Sequence, residues 1–255
     1  MNILYLIIFF ILGSIIGQFL TIIGLRLPKN ESIISTKSHC DNCGHVLKMT
    51  ETIPILSYIF QKGRCNYCKG KIDILSTFVE LFTGILFAIA YIVFGFSYQL
   101  LIAIGIVCLL MTVVVSDITY LIIPDELLIF FSIYFIIIQI LDLGLMGAFK
   151  HLLTGIFLFG MMYLIMLIGN KALKKESMGG GDIKMMFVFG LVLDPLLGTL
   201  SVFLGSIIAL PISLILLNKE SEKVIPFGPF LLIALTFIYF SGLTTPTILE
   251  WLRMY

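Results

Sequence analysis

Charged side chains are scarce in this chain of 255 residues. Asp, Glu, Lys and Arg together make up 12% of it, whereas hydrophobic residues make up 60%. Globular domains usually carry about 25% charged residues, so the composition excludes an ordinary soluble fold. The net charge is only +1 and there is a single tryptophan. The chain therefore lacks the basic, aromatic surface that nucleic-acid binding requires, and no nucleic-acid partner is expected.

Two common motifs are also missing. The apolar segment 1–25 has no basic residues ahead of it and no A-x-A-like cleavage site, and it continues directly into Arg26. It is therefore interpreted as a retained membrane helix rather than a cleaved signal sequence. The glycines at 179–181 do not complete the G-x-x-x-x-G-K-[ST] pattern of a phosphate-binding loop.

What the sequence does contain is a series of long apolar runs. A transmembrane helix needs about 20 mostly apolar residues. Seven runs meet or approach that length, and an eighth, 183–193, is short and lies between Gly181 and Asp194. We therefore predict an all-α integral membrane protein with about eight transmembrane helices in a lipid bilayer. The seven longer runs are 3–25, 74–94, 98–116, 126–141, 151–169, 196–217 and 225–240.

The positions of Lys and Arg predict the orientation, because these residues collect in short cytoplasmic loops. Eight lie in 26–73, four in 170–184 and two in 218–223, and eight helices place these loops on one side. Only Lys150 and Arg253 fall on the other side. Both termini are thus predicted outside. The predicted organisation is a first transmembrane helix (1–25), a cytoplasmic loop domain (26–73) and a transmembrane core (74–255).

Four of the five cysteines form two C-x-x-C pairs in the cytoplasmic loop, separated by 21 residues. This spacing is close to that of four-thiolate zinc sites, and a cytoplasmic position disfavours disulfides. Gly44 and Gly70 are expected to allow the sharp turns after the pairs. We predict a structural zinc ion, with disulfides, free thiols, a dithiol redox centre, or His39 or His45 as a replacement ligand left as alternatives. The expected ligands are Cys40, Cys43, Cys65 and Cys68.

Asp117 and Asp182 are the candidates for a catalytic pair. Ionisable residues in or beside membrane spans are costly, which makes them functional candidates. Asp117 follows one apolar run and Asp182 precedes another, and eight helices place both on the cytoplasmic face. Of two adjacent carboxylates, the charged one can activate water while the protonated one donates to the scissile carbonyl oxygen. Taken singly, Asp182 could be a helix N-cap and Asp117 an interfacial charge.

Neighbouring residues are given supporting roles. The glycines at 179–181 would let an extended substrate approach, and their amides together with Lys184 would favour the anionic form of Asp182. Asp125, beside Pro124, is expected to cap or position a helix.

Three further polar residues are expected to have ordinary roles. Glu80 is interpreted as a solvated charge near a span end. Gln18 and Thr21 are expected to make hydrogen bonds between helices.

Taken together, these motifs resemble the type IV prepilin peptidase family, a group of GxGD-type intramembrane aspartyl proteases that includes competence-system members. Segments 38–45 (SHCDNCGH) and 62–68 (KGRCNYC) resemble its zinc-binding loop. Asp117 with the Ile-Pro-Asp at 123–125, followed by 178–184 (MGGGDIK), resembles its two catalytic segments. Segment 225–230 (IPFGPF) is similar to its late Gly-Pro-Phe element.

The resemblance implies an enzyme of the bacterial cytoplasmic membrane. Such an enzyme cleaves the short basic leader from prepilin or pseudopilin precursors at the cytoplasmic face, and family members often also methylate the new amino terminus with S-adenosylmethionine. The sequence contains no glycine-rich nucleotide-binding unit, so any methyl-donor site must be built from the loop and the span ends. No residue is assigned to it.

Two other functions are consistent with parts of the sequence. A membrane thiol oxidoreductase would use the C-x-x-C pairs as redox centres. A transporter or scaffold of the pilus machinery would use the aspartates for ions or protons, and replacing them would leave leader removal intact.

Overall fold

The computed structural model describes residues 2–33, 40, 42–47, 51–174, 178–217 and 226–254. Over these residues the chain is helical, apart from loops and isolated β-bridge residues such as the pair Arg64 and Lys71. This confirms the all-α prediction. The helices are α1 (Ile3–Arg26, followed by a 3-10 turn at Leu27–Lys29), α2 (Leu56–Phe60), α3 (Ile74–Phe94), α4 (Tyr98–Tyr120), α5 (Asp125–Leu173), α6 (Gly180–Val192), α7 (Pro195–Leu217), α8 (Gly228–Phe240) and α9 (Thr245–Met254).

Five of the described helices, α1, α3, α4, α5 and α7, are long and apolar enough to cross a membrane. Large apolar side chains on several of them are exposed, for example Phe130 on α5 and Phe203 on α7. Such exposed residues are expected where a helix contacts lipid rather than water. The chain is therefore a membrane protein, as its composition predicts.

Helix α5 combines two of the predicted apolar runs, 126–141 and 151–169. Its 49 residues are interrupted at Gly144, where φ is 71° and ψ is −179°. This conformation is accessible to glycine because glycine has no Cβ. The helix thus consists of two helical segments joined by a break, each close to one predicted run.

Helix α4 is the centre of the bundle. Over its most apolar window 78% of the residues are buried, compared with 22 to 33% in the other four long helices. Helices α1, α3, α5 and α8 all pack against α4, and α6 packs mainly along α5. Most of α6 is also buried, from Ile183 to Val192. The two predicted catalytic residues therefore belong to two of the most enclosed helices, and α8 is buried to the same extent as α6.

Small residues bring α1 and α3 into close contact. A Cβ added at Gly17 of α1 would lie 2.9 Å from the Cα of Glu80 on α3. Close backbone approach at small residues is the usual way in which membrane helices associate, because lipid provides no hydrophobic drive. The paired ends of α1 and α3 form the base on which the cysteine loop lies.

Two side chains fix the loop to this base. Gln18 donates from Nε2 to the Thr52 carbonyl (2.8 Å), and Glu80 Oε2 accepts the Ile55 amide (2.8 Å). Glu80 is only 5% exposed, so the expectation of a solvated charge is wrong. Gln18 binds the loop, and Thr21 bonds within α1 to Gly17, so neither makes the predicted bond between helices in the described structure.

Candidate active site

Asp117 lies in the last turn of α4, which continues to Tyr120 rather than ending at the predicted position 116. The residue is 6% exposed. Leu121 ends the helix with a positive φ and donates its amide to the Asp117 carbonyl (2.9 Å). The side-chain atom Oδ2 is buried and has no hydrogen-bond partner among the described residues. Buried polar atoms are nearly always paired, so this unpaired oxygen is a functional candidate.

Asp182 lies at the start of α6. The N-cap is Gly179 in an extended conformation, so Asp182 is the third residue of the helix and not its cap. Its side chain is partly buried. Gly181, which precedes Asp182, and Gly228, which lies beside Asp117 Oδ2, both pack against Ile123, so the two aspartates lie near the same residue. The fold thus brings two acidic residues that are 65 positions apart in the sequence near one another, at the end of α4 and the start of α6.

Ile123, in the short loop between α4 and α5, lies between the helices that carry and flank the pair. A Cβ added at Gly181 would be 3.0 Å from Ile123 Cβ, and one added at Gly228 would be 2.9 Å from Ile123 Cδ1. The same position at Gly228 is 3.1 Å from Asp117 Oδ2. Absence of a side chain at 181 and 228 therefore lets α6 and α8 approach Ile123 and Asp117 closely.

Lys184 does not pair with Asp182. Its Nζ contacts both carboxylate oxygens of Asp125, at 2.8 Å and 2.6 Å. Both side chains are about half exposed. Asp125 is the first residue of α5, after the N-cap Pro124, so the ion pair joins the start of α5 to the start of α6. This arrangement agrees with a positioning role for Asp125.

The four loop cysteines form a second cluster. Their sulfur atoms all lie within 4.8 Å of one another, and Cys40 Sγ is 3.8 Å from Cys68 Sγ. None of the five cysteines is in a disulfide. Four sulfurs bound to zinc at about 2.3 Å would be roughly 3.8 Å apart in a regular tetrahedron. The donor set and its spacing therefore fit a metal ion with four thiolate ligands.

Both C-x-x-C segments have the same backbone pattern. The amide of Gly44 donates to the Cys40 carbonyl and the amide of Lys69 to the Cys65 carbonyl, in each case from four residues further along. The amides of Cys40 and Cys65 in turn donate to carbonyls five residues later. The positive φ falls at Gly44 in the first segment, as predicted, but at Lys69 rather than Gly70 in the second.

The thiols of the cluster differ in acidity: a backbone hydrogen bond at His45 lowers the pKa of Cys43, but burial and the neighbouring cysteines raise it to about 11. The backbone amides of Cys68 and Tyr67 lower the pKa of Cys65 to about 7, and the thiolate is the form that binds metal. His45 stacks on Tyr67, with ring centroids 3.5 Å apart, and its Nε2 is 4.0 Å from Glu51. Among the described residues only cysteines belong to the cluster. His39, the other alternative ligand, lies outside the described residues.

Sequence reasoning missed the contacts that define the shape of the site. Gly228 was part of a recognisable motif, but its contact with Asp117 depends on how α8 packs against α4. Glu80 was misjudged because charges near span ends are usually solvated, whereas here a loop covers it. Its burial could have been inferred from the sequence, because Glu80 lies on the same face of α3 as the small residues that pack against α1.

Comparison with known proteins gives two family matches. Residues 11–94 match the Bacterial Peptidase A24 N-terminal domain, and residues 104–214 match the Type IV leader peptidase family. No solved structure matches the chain.

Several curated relatives share the name prepilin leader peptidase/N-methyltransferase. The one from Bacillus subtilis (strain 168) is 38% identical over 192 residues, covering 73% of each chain. The one from Pseudomonas aeruginosa is 30% identical over 261 residues, covering 88% of this chain and 86% of the relative. The one from Myxococcus xanthus (strain DK1622) is 33% identical over 200 residues, covering 77% and 59%.

Proposed function

Because the chain belongs to the type IV leader peptidase family that its motifs resemble, we propose that it removes the leader peptide from prepilin or pseudopilin precursors, with Asp117 and Asp182 as the catalytic pair. The observation that supports this assignment is that the end of α4, which carries Asp117, and the start of α6, which carries Asp182, meet at Ile123. Burying an ionisable group in a membrane helix costs free energy, so such groups are found mainly where they have a function.

The pair can hydrolyse a peptide bond without a covalent intermediate. The ionised carboxylate removes a proton from water as the water oxygen attacks the scissile carbonyl, and the protonated carboxyl donates to the carbonyl oxygen. The tetrahedral species then collapses, and the leaving amine takes up a proton. The side-chain-free segment 179–181 leaves room for an extended substrate beside Asp182.

The cysteine cluster would hold a structural zinc ion. Cys40, Cys43, Cys65 and Cys68 supply four sulfur ligands and leave no position open for water or substrate. The ion would therefore fold the loop rather than take part in hydrolysis. The names of the relatives also support a second activity, N-methylation of the new amino terminus with S-adenosylmethionine as the methyl donor.

We further propose that the chain crosses the bacterial cytoplasmic membrane eight times. The break at Gly144 divides α5 into two crossings, and α6 and α8 are short crossings enclosed by the other helices. With this count the aspartates and the cysteine loop share the cytoplasmic face, where the positively charged loops are expected.

The test is co-expression with a prepilin and measurement of leader removal by mass. Asp117→Asn and Asp182→Asn are each expected to abolish cleavage, because Asn keeps the size but cannot exchange a proton. Asp142→Asn is the matched control, since Asp142 accepts a hydrogen bond from Gln99 away from the pair. The proposal is wrong if either of the first two variants, inserted normally, still cleaves at the rate of the wild type.

The same measurement separates the rival functions. A transporter or scaffold would allow leader removal without either aspartate. A thiol oxidoreductase would need two separate dithiols, whereas the four sulfurs here converge on one centre. We therefore prefer the peptidase.

A further inference from the structure

Helix α2 of the cysteine loop, with the turn before it, presents an apolar face that no described part of the chain covers. Four large apolar side chains on this face are between 44% and 80% exposed: Ile53, Leu56, Ile59 and Phe60. The opposite face is turned inward, because Tyr58 is half-buried and a Cβ added at Gly63 would be 2.9 Å from its Oη atom. Clustered exposed apolar side chains mark a surface that contacts a partner or a membrane.

The contacts that attach this part of the loop lie far along the two membrane helices. Gln18 of α1 binds the Thr52 carbonyl, and Glu80 of α3 accepts the Ile55 amide. Gln18 follows the first residue of α1 by 15 positions, and Glu80 precedes the last residue of α3 by 14. At 1.5 Å per residue, both contacts are roughly 21 to 23 Å from the helix ends that are remote from the loop.

This distance places the contacts inside the bilayer. Both α1 and α3 are long and apolar enough to cross a membrane, and the hydrocarbon core is about 30 Å thick. A point 21 to 23 Å from the far boundary is therefore still roughly 7 to 9 Å inside the boundary on the side of the loop. Tilt of either helix would place it deeper still. The depth also explains why the loop covers Glu80, which is 5% exposed, since a carboxylate that faces lipid costs free energy.

Helix α2 follows these contacts directly along the chain. It begins at Leu56, the residue after Ile55, and Phe60 at its end is only about 7.5 Å further along the helix axis. The helix therefore lies near the boundary between hydrocarbon and headgroups. Lys62 and Arg64 come shortly after it and are exposed. An apolar helix face next to basic residues is typical of segments that lie in the interface of a membrane with anionic lipids.

From this depth and exposure we propose that α2 anchors the cysteine loop in the bilayer. The face formed by Ile53, Leu56, Ile59 and Phe60 contacts the acyl chains of the leaflet on the side of the loop, and Lys62 and Arg64 lie among its headgroups. The loop is thus attached to α1 and α3 on one side and to lipid on the other. Because the face lies in the boundary layer and not at the bilayer centre, reagents on the side of the loop still reach a small thiol there.

The test is quenching of tryptophan fluorescence by brominated lipid. The chain has a single tryptophan, so Trp251→Phe provides a silent background to which Phe60→Trp or Tyr58→Trp adds one emitting residue. The full-length variants are reconstituted in vesicles of phosphatidylcholine with a minority of phosphatidylglycerol, with or without bromine near the headgroup end of the acyl chains. We expect bromine to reduce the emission of Phe60→Trp about twofold or more, because an interfacial apolar face reaches the start of the acyl chains.

Tyr58→Trp is the matched control, since position 58 is on the same helix but on the inward face. Its emission should be nearly the same in both lipids. Should Phe60→Trp fail to elute as a single species, Ile59→Trp takes its place, because Ile59 is also on the apolar face and is 61% exposed. The same reduction of about twofold is expected for it.

Equal emission in the two lipids from a tryptophan on the apolar face, together with strong quenching by acrylamide in the water, would show that α2 extends into solvent and would overturn the proposal. Equally strong quenching of Tyr58→Trp by bromine would also overturn it, since lipid would then not contact one particular face. Neither result depends on leader removal, so the proposal can fail while the peptidase assignment stands.

Discussion

At the scale of single residues, the contact between Gly228 and Asp117 controls where the catalytic carboxyl can lie. A methyl group at 228 would meet Ile123 Cδ1 at 2.9 Å, Asp117 Oδ2 at 3.1 Å and Val113 Cγ1 at 3.3 Å. The contact with Asp117 Oδ2 is tighter than an ordinary van der Waals contact, so the carboxyl or α8 has to shift. Gly228→Ala should therefore slow leader removal by about 10- to 100-fold, because small misplacements of reacting groups have large effects on rate.

Gly160→Ala is the matched control for this prediction. Gly160 lies inside α5, and a Cβ added there meets no atom within 4 Å. The Gly160→Ala variant should therefore remove the leader at the wild-type rate. Equal rates for the two variants, with equal amounts in the membrane, would show that the space beside Asp117 is unimportant.

The ion pair of Asp125 and Lys184 offers a second prediction at this scale. Exposed ion pairs contribute only about 0 to 1 kcal/mol to stability, so its removal should leave folding intact. Because it joins the starts of α5 and α6, Asp125→Asn and Lys184→Met should each slow cleavage several-fold without abolishing it. If they act as a unit, the double variant should be no slower than either single one.

The check is to measure kcat and KM for leader removal by the wild type, the two single variants and the double variant. Effects that multiply in the double variant would mean that the two residues act independently. Retention of slow cleavage by Asp125→Asn also distinguishes a positioning residue from the catalytic pair.

The candidate catalytic residues could be named from the sequence, but their surroundings could not. Asp117 and Asp182 stand out because charge is rare in apolar runs. The neighbours of Asp117 depend instead on tertiary packing, since Gly228 is more than 100 positions away. Lys184 is close to Asp182 in sequence, yet its side chain extends to Asp125 on another helix. Sequence distance was a poor guide to its partner.

At the scale of elements, the cysteine loop has few buried apolar residues of its own. Cys65 is the only apolar residue below 9% exposure in the described part of 26–73. A loop of this kind needs a cross-link or a metal to keep one structure. Removal of zinc is therefore expected to unfold the cysteine loop locally, although the hydrogen bonds of Gln18 and Glu80 still attach it to α1 and α3.

This expectation can be tested with Cys65→Ser. Purified wild type should contain about one zinc ion per chain, and the variant should lose most of it. Trypsin should then cut the Lys- and Arg-rich loop about tenfold faster, because cleavage requires local opening. Cys108→Ser is the matched control, since Cys108 lies in α4 outside the cluster. A Cys65→Ser protein with full zinc content would contradict the four-sulfur site.

The elements themselves were predictable to different degrees. Apolar length located α1, α3 and α4, whereas the cap of α3, Asp73 bonded to the Leu75 amide, was not predicted. The continuation of α5 through Gly144 was not predictable, because a glycine beside polar Asp142 resembles an ordinary loop. The sequence also failed to identify which residue of the second cysteine turn has a positive φ. Lys69 takes the positive φ, although glycine at 70 was the expected residue.

At the scale of the whole molecule, the break in α5 determines the topology. If α5 crosses twice, Gly144 and its neighbours lie outside, and both the catalytic pair and the cysteine loop face the cytoplasm. If α5 crosses once, every later helix is inverted, and the starts of α6 and α8 no longer share a face with the end of α4. The contact between Gly228 and Asp117 favours the first arrangement.

Labelling of intact cells with a membrane-impermeant maleimide distinguishes these arrangements. Leu145→Cys places a thiol next to the break at a position that is 76% exposed, and Phe60→Cys places one in the cysteine loop at a position that is 80% exposed. Two crossings predict labelling of Leu145→Cys in intact cells and of Phe60→Cys only after permeabilisation, because each thiol reacts only from its own side of the bilayer. The wild type is the control, because its native cysteines, including exposed Cys43 and Cys68, set the background labelling before and after permeabilisation. Labelling of Phe60→Cys in intact cells would place the loop outside and would remove the basis for a cytoplasmic leader peptidase.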